Sequence, residues 1–427
     1  MNPIINRLRR DYLGMTLSNE EASLNWLYTD HIKQLGPDFY AEKVALLPVL
    51  QLEYSISCQQ LAAHLPAVNA QNVEKMVEQL ISALILAELL EHLYRYYFNV
   101  PRDVARVRKQ QLIYKNMLSQ LAGYSFASTA AEPAEGSFTQ PLRDTTIETN
   151  WYRTVCGRSK RVLDTINMLG TGSPYYQSLV FTINTYLGPI LAHLAWCFYL
   201  PRLCTNLFVI LKHTIPGSWM SAEEQSLTWG TRLQLQLQRR WFDLGNDVVW
   251  ITAGVFTCFI LVGALAPIAA YVTAACFLFD VAMAGLRTYI ELTRLTALQL
   301  KYTDMLAATD DAGHQLAIQE RLEQIKQKTT FEALRLGINT ALTIAIVLAA
   351  CCALSIVAVC PIIPLVGAVC LLAISLLIFV SNRLLDAYAP KEKVEALPTV
   401  AALGFFAKKN PGTSLPATTN QVDFKLT

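Results

Sequence analysis

LGINTALTIAIVLAACCALSIVAVCPIIPLVGAVCLLAISLLIFVSN, residues 336–382, is a run of 47 residues between Arg335 and Arg383 without Asp, Glu, Lys or Arg. One membrane-crossing helix uses about 20 apolar residues, so a run of this length predicts two crossings. Pro361 and Pro364 supply the break: each lacks a backbone donor and its ring crowds the preceding helical turn. The expected pattern is a helix to about Cys360, a tight turn, and a second helix from about Leu365. Arg335 and Arg383 then lie on one side of the bilayer, and the positive-inside tendency makes that side cytoplasmic.

Composition agrees with a membrane reading. The chain has 427 residues, 53% of them hydrophobic, and a mean hydropathy of +0.31. A net charge of +2 without a clustered basic excess argues against nucleic-acid binding. Met1–Arg10 is basic but no apolar segment follows it, so no cleavable secretory signal is expected. Eight of the ten cysteines fall in apolar segments, where they act as small packing residues, and the absence of CxxC pairs or zinc spacing points to a reducing compartment.

Working outward, a second hairpin lies between Asp247 and Asp280, whose 32 intervening residues are uncharged. As one helix they would measure about 48 Å, too long for one upright crossing. Gly263 and Pro267 offer a reversal, giving arms over 248–265 and 268–286 with Arg239, Arg240 and Arg287 on a common side. Between the hairpins, residues 287–335 carry seven basic and seven acidic side chains. Two apolar stripes run through them, Leu292, Leu295, Leu298, Tyr302, Met305 and then Ile318, Leu322, Ile325, predicting a charged helical stalk folded back on itself at 307–314.

Upstream, residues 1–122 read as a soluble helical domain. Ser18 with Glu21 matches a capping box opening a helix to about Leu35. Val73, Met76, Val77, Leu80 and Leu84 recur at helical spacing, and their helix continues over Ile81–Phe98. Pro101 starts another helix, whose basic group Arg102, Arg106, Arg108, Lys109 reads as a solvated face balanced by distant acids. Residues 123–150 form a linker. In 151–220 the uncharged run Thr165–Pro201, interrupted by Gly188-Pro189, leaves one crossing and an interfacial segment as alternatives, since basic residues flank it on both sides. The capping box Ser221/Glu224 opens the helix that leads into the first hairpin, so that unit covers 221–286. The second hairpin with its short polar extension covers 336–388, and 389–427 is a tail without core-forming pattern, including Phe405-Phe406 beside Lys408-Lys409.

No catalytic constellation emerges, and the chain reads as a non-enzyme without cofactor. Glu88, Glu91 and His92 share a helical turn, but one such group is not a metal site without a second helix to match it. His193 stands alone in an apolar segment, where a hydrogen-bonded packing role is the plain reading. Asp280 is the foremost candidate for an intramembrane polar site, because an ionisable group at membrane depth is expensive and marks function by default. Its position two turns from Arg287 also allows solvation or pairing near the interface.

The run Tyr175–Asp247, with Tyr176-Gln177-Ser178, Leu187-Gly188-Pro189-Ile190, Leu211-Lys212-His213-Thr214-Ile215-Pro216-Gly217 and Arg240-Trp241-Phe242-Asp243-Leu244-Gly245-Asn246-Asp247, resembles membrane-anchored, effector-like proteins of Legionella-type intracellular bacteria. The resemblance implies delivery into a host cell and residence in a host membrane. Without delivery, a bacterial inner membrane is the expected location. The chain is thus expected to be all-α: a helical N-terminal domain and a multi-pass bundle of two hairpins joined by a charged stalk. Its expected partners are the lipid bilayer and a protein bound by the N-terminal domain or stalk. A scaffold is the leading reading, and a small channel or transporter lined by the bundle is the alternative.

Overall fold

The computed structural model describes residues 2–14, 35–65, 72–124, 126, most of 145–166, 174–352 and 362–389, with isolated positions between 353 and 361. The Ser18/Glu21 box, most of the linker, Pro361 and the tail with Phe405-Phe406 lie outside the described residues. Every described element is helical. In chain order they are α1 (Pro3–Leu13), α2 (Gly36–Val44), α3 (Leu47–His64), α4 (Val73–His92), α5 (Pro101–Ala122), α6 (Pro174–Cys197), α7 (Leu200–Thr214), α8 (Ala222–Ser226), α9 (Trp229–Val255), α10 (Ala266–Ala307), α11 (Ala312–Cys351) and α12 (Ile362–Tyr388).

Local chemistry explains several boundaries. Asn2 accepts a hydrogen bond from the Ile4 backbone N–H to start α1, and Thr228 and Asp311 cap α9 and α11 the same way. Gly263 has φ +62°, a left-handed conformation that favours glycine, and Pro267 occupies the first turn of α10, where its missing donor has no partner to lose. Together they reverse the chain between α9 and α10. α10 and α11 have 42 and 40 residues, about 60 Å each, and each runs unbroken from an apolar half into a charged half.

Five helical stretches are long and apolar enough to cross a membrane: Pro174–Thr214, Trp229–Ile260, Pro267–Ala307, Ala312–Cys351 and Ile362–Leu385. Their large side chains are widely exposed, among them Phe181, Phe259, Leu278, Leu348 and Leu376. A small interior holds Phe277, Val347 and Ala350 against Trp250 and Val281. A Cβ on Gly367 would lie 2.6 Å from Cys352 Cβ and 2.7 Å from the Ala349 carbonyl, so α12 meets the end of α11 at backbone contact, as small-residue packing in lipid allows. Gly285 has no neighbour within 4 Å of such a Cβ.

The charged ends are covered by a helical head. One continuous core joins Leu8 and Tyr12 of α1, Leu50 and Ile56 of α3, and Leu84 and Leu89 of α4 to Leu298, Tyr302, Ile318, Leu322 and Ile325 of the stalk. The N-terminal helices and the stalk, separate stretches in the sequence, thus share one interior. Two antiparallel stalk helices cover only part of their apolar stripes on each other, and the remainder needs this third layer.

Three local expectations, on Gly188-Pro189, the Ser221 helix and the last hairpin, are corrected. Gly188-Pro189 does not interrupt α6, which carries Pro189 inside it; the break comes at Phe198–Tyr199, just before Pro201 in the first turn of α7. Ser221 does accept from the Glu224 N–H, but the helix it opens is the five-residue α8. Leu227 then turns extended to enter the head core, and Thr228 caps the long helix. In the last hairpin α11 ends at Cys351, and α12 begins at Ile362 with Pro364 inside its first turn, a place proline tolerates. The Ile81–Phe98 helix closes with a π-helical turn over Leu93–Tyr97. The basic group of α5 is a solvated face as expected, with Arg102, Arg106 and Lys109 exposed; Arg106 pairs with Asp103 one turn away at 3.2 Å and Arg108 with Glu91 of α4 at 2.5 Å.

Candidate functional site

Among the described residues, two clusters of ionisable side chains are the most extensive, one among the apolar helices and one in the head. The first forms where α7, α9 and α10 meet. α7 runs antiparallel to α9, so Arg202 near the start of α7 reaches Asp247. Its Nε donates to both Asp247 oxygens at 2.9 and 3.0 Å, and its Nη2 also bonds Oδ1. Asp247 is fully buried and Arg202 mostly so; Asp243, one turn away, adds a looser contact at 3.7 Å. Asp280 of α10 accepts from Trp250 Nε1 at 3.2 Å. Asn246 bridges the two groups: in the orientation that satisfies both neighbours, its nitrogen donates to Asp280 at 3.3 Å and its oxygen accepts from Arg202 at 3.0 Å. Tyr199 stacks on Trp250 with ring centroids 6.5 Å apart, and Arg153 lies 4.4 Å over the Tyr199 ring.

Asp280 therefore sits in a donor network. Arg287 does not pair with it and instead lies 5.3 Å over the Phe242 ring. His193 is elsewhere: its Nδ1 meets the Pro189 carbonyl at 2.7 Å, and its ring stands edge-on to Phe259 at 5.4 Å. Phe259 is nine residues beyond Trp250, about 14 Å along the helix, so the two sequence candidates are not brought together. The cations expected to set the topology, Arg239, Arg240, Arg287, Arg335 and Arg383, all lie at the head end of the apolar stretches. Arg239 covers Phe98 at 4.9 Å, Arg240 bonds Gln236, Arg335 pairs with Glu332 at 2.8 Å and Arg383 covers Phe379 at 5.6 Å. Glu88 pairs with Lys115 at 2.9 Å, Glu91 with Arg108, and His92 packs on Tyr40 and Tyr96.

The second cluster centres on Glu53 of α3, whose side chain has no exposed surface. One carboxylate oxygen is held by Arg7; the other accepts from the Tyr302 hydroxyl at 2.8 Å and from Arg321 at 3.1 Å. Arg321 also donates to the Glu53 carbonyl and Ser57 at 2.9 Å each and to Gln60 at 3.1 Å. Arg7 donates to Tyr302 at 2.8 Å and lies over its ring, 4.3 Å from the centroid. Burial by itself would raise the Glu53 carboxyl, but the charges of Arg7 and Arg321 and the bonds from Arg7 and Tyr302 outweigh it and hold the group below the usual carboxylate range. Beside this cluster a cleft of about 270 Å³ opens between α4 and α11, its rim formed by Glu74, Lys75, Glu78, Leu316 and Glu320. Lys75 pairs with Glu320, and Glu78 accepts from Asn2 at 2.9 Å.

Sequence reasoning reached Asp280 but missed Arg202 and Asp247 as its neighbours, and the whole Glu53 cluster. Each had a faint signal. Glu53 is the only Asp, Glu, Lys or Arg between Lys43 and Glu74, and Arg202 and Asp247 both abut uncharged runs. Comparison with family models, curated proteins and solved structures finds no match to this chain.

Proposed function

We propose that the chain is an integral membrane scaffold without enzymatic activity, whose head and stalk present one rigid helical surface to a protein partner. The observation that carries this reading is the Glu53 cluster. Residues 7, 53, 302 and 321 are drawn into one buried network, locking the N-terminal helices to the helices that continue into the apolar bundle. An event on the head is thereby coupled to the spans through a stiff joint. The separate cluster among the apolar helices leaves little for a pore to use, since its acids are already engaged: Asp247 by Arg202, Asp280 by Trp250 and Asn246. A conducting path needs polar groups facing water.

Residence in a host membrane after delivery from a bacterium belongs to the same proposal and rests on the resemblance of residues 175–247 to effector-like proteins. The scaffold reading is tested by reconstituting purified protein in liposomes and measuring solute flux. No flux above protein-free vesicles is expected. Flux that disappears in Asp280→Asn would replace the scaffold with a channel or transporter.

A further inference from the structure

The helices leading into the spans carry apolar residues that the head leaves uncovered. On α9, Arg232, Leu235 and Gln236 are buried toward the head, while Leu233, Leu237 and Trp241 line an open, almost wholly apolar groove on another side of the helix. Its antiparallel neighbour α7 buries Val209 and Ile210 but exposes Phe208 and Leu211. Counting from Ile260, the end of the apolar arm, Arg240 lies about 30 Å back along α9, the thickness of a bilayer's hydrocarbon core. Leu237 lies at about 35 Å, inside the headgroup layer of roughly 5–7 Å that borders this core, and Leu233, at about 41 Å, lies just beyond its outer edge. Arg287 over Phe242 places exposed Tyr289 of α10 at the same height. Aromatic side chains beside Lys and Arg are what the interfacial layer favours, and Lys212, Arg239, Arg240 and Arg287 supply the cations.

We propose that this shoulder of α7 and α9 is a lipid contact: Trp241 and Leu237 insert between the edge of the core and the headgroups of the leaflet on the head side, with Leu233 at the outer rim of that layer. The head then rests on the bilayer and does not stand clear of it on the stalk. The occupant follows from continuity, because the groove extends the same helix that exposes Val248, Phe256 and Phe259 in the apolar arm, and from the basic residues, which suit phosphate headgroups. The inference rests on the membrane reading but not on the scaffold reading.

The test uses the full chain in proteoliposomes of phosphatidylcholine and phosphatidylglycerol, one fraction of the lipid carrying a photoactivatable diazirine in its acyl chain and another carrying one in its headgroup. Adducts are mapped by mass spectrometry, alongside hydroxyl-radical oxidation from the aqueous side. Expected are lipid adducts on 233–241 as well as 248–260, with Trp241 oxidised several-fold more slowly than the exposed Trp229. Adducts confined to 248–260, with Trp241 oxidised as fast as Trp229, would overturn the inference and leave the membrane reading standing. Efficient disulfide dimerisation of Leu237→Cys in the same vesicles would assign the groove to a second copy and overturn it too. Absence of adducts on 248–260 would remove the membrane reading and this inference together.

Discussion

The head buries an acid among donors and the apolar bundle half-buries one, and they hold them differently. Glu53 is held by two guanidinium groups and a tyrosine, whereas Asp280 is held by an indole and an amide. In the head, charge is matched by charge, so removing the acid strands two buried cations. Around Asp280 the direct partners are neutral, so neutralising the acid strands none. Burying an ion pair is a weak source of stability, but breaking one leaves a large uncompensated penalty. The head cluster should therefore behave as a structural lock, and the Asp280 network as a tolerant one.

The largest expected effect tests the lock. Glu53→Gln keeps the shape and removes the charge, leaving Arg7 and Arg321 buried without a counter-ion, and should destabilise the head by about 3–5 kcal/mol. Chemical denaturation followed by near-ultraviolet circular dichroism measures this. Loss of less than about 1 kcal/mol would mean that water reaches the site and would end the contrast with Asp280. The same lock predicts a pH response. Because the folded Glu53 carboxyl lies below its unfolded value, its contribution is fully present above about pH 4.3, the ordinary glutamate value. It is lost as pH falls from there through the folded value. Proteolysis at the junction of α3 and α11 should accelerate over that acid range, and Glu53→Gln should remove this component of the pH dependence.

Next in size are packing effects in the bundle. Gly367→Leu must displace the Ala349 carbonyl and Cys352, and Ala350→Leu must enter the interior beside Phe277. Each should cost about 1–3 kcal/mol although each makes its helix more hydrophobic. Gly285→Leu meets nothing within 4 Å and should leave the detergent-unfolding midpoint almost unchanged. Equal behaviour of Gly367→Leu and Gly285→Leu would show that the α11–α12 contact is not tight. Smallest is Asp280→Asn, which keeps an acceptor for Trp250 and should change stability by about 1 kcal/mol or less. A loss as large as that of Glu53→Gln would mean that Asp280 carries an essential charge, and the comparison would fail on its other side.

Much of the architecture is legible in the amino-acid order because it rests on local physics. A run such as 336–382 without a charge fits two crossings by length alone, and Gly263 with Pro267 marks a reversal whatever surrounds it. Helix ends were less legible. Pro364 and Pro189 both sit within helices, because a proline in the first turn loses no bond and one in mid-helix is tolerated where packing re-satisfies the freed groups. The partners of the charges were not legible at all. Glu53 finds Arg321 across 268 positions, and Arg202 finds Asp247 across 45. By itself, then, the sequence determined an all-α chain with apolar helices of membrane-spanning length, since hydropathy and helical period act within a few residues. Only the tertiary structure decided that head and stalk share one core and which ions face each other, since those pairings depend on how distant helices pack.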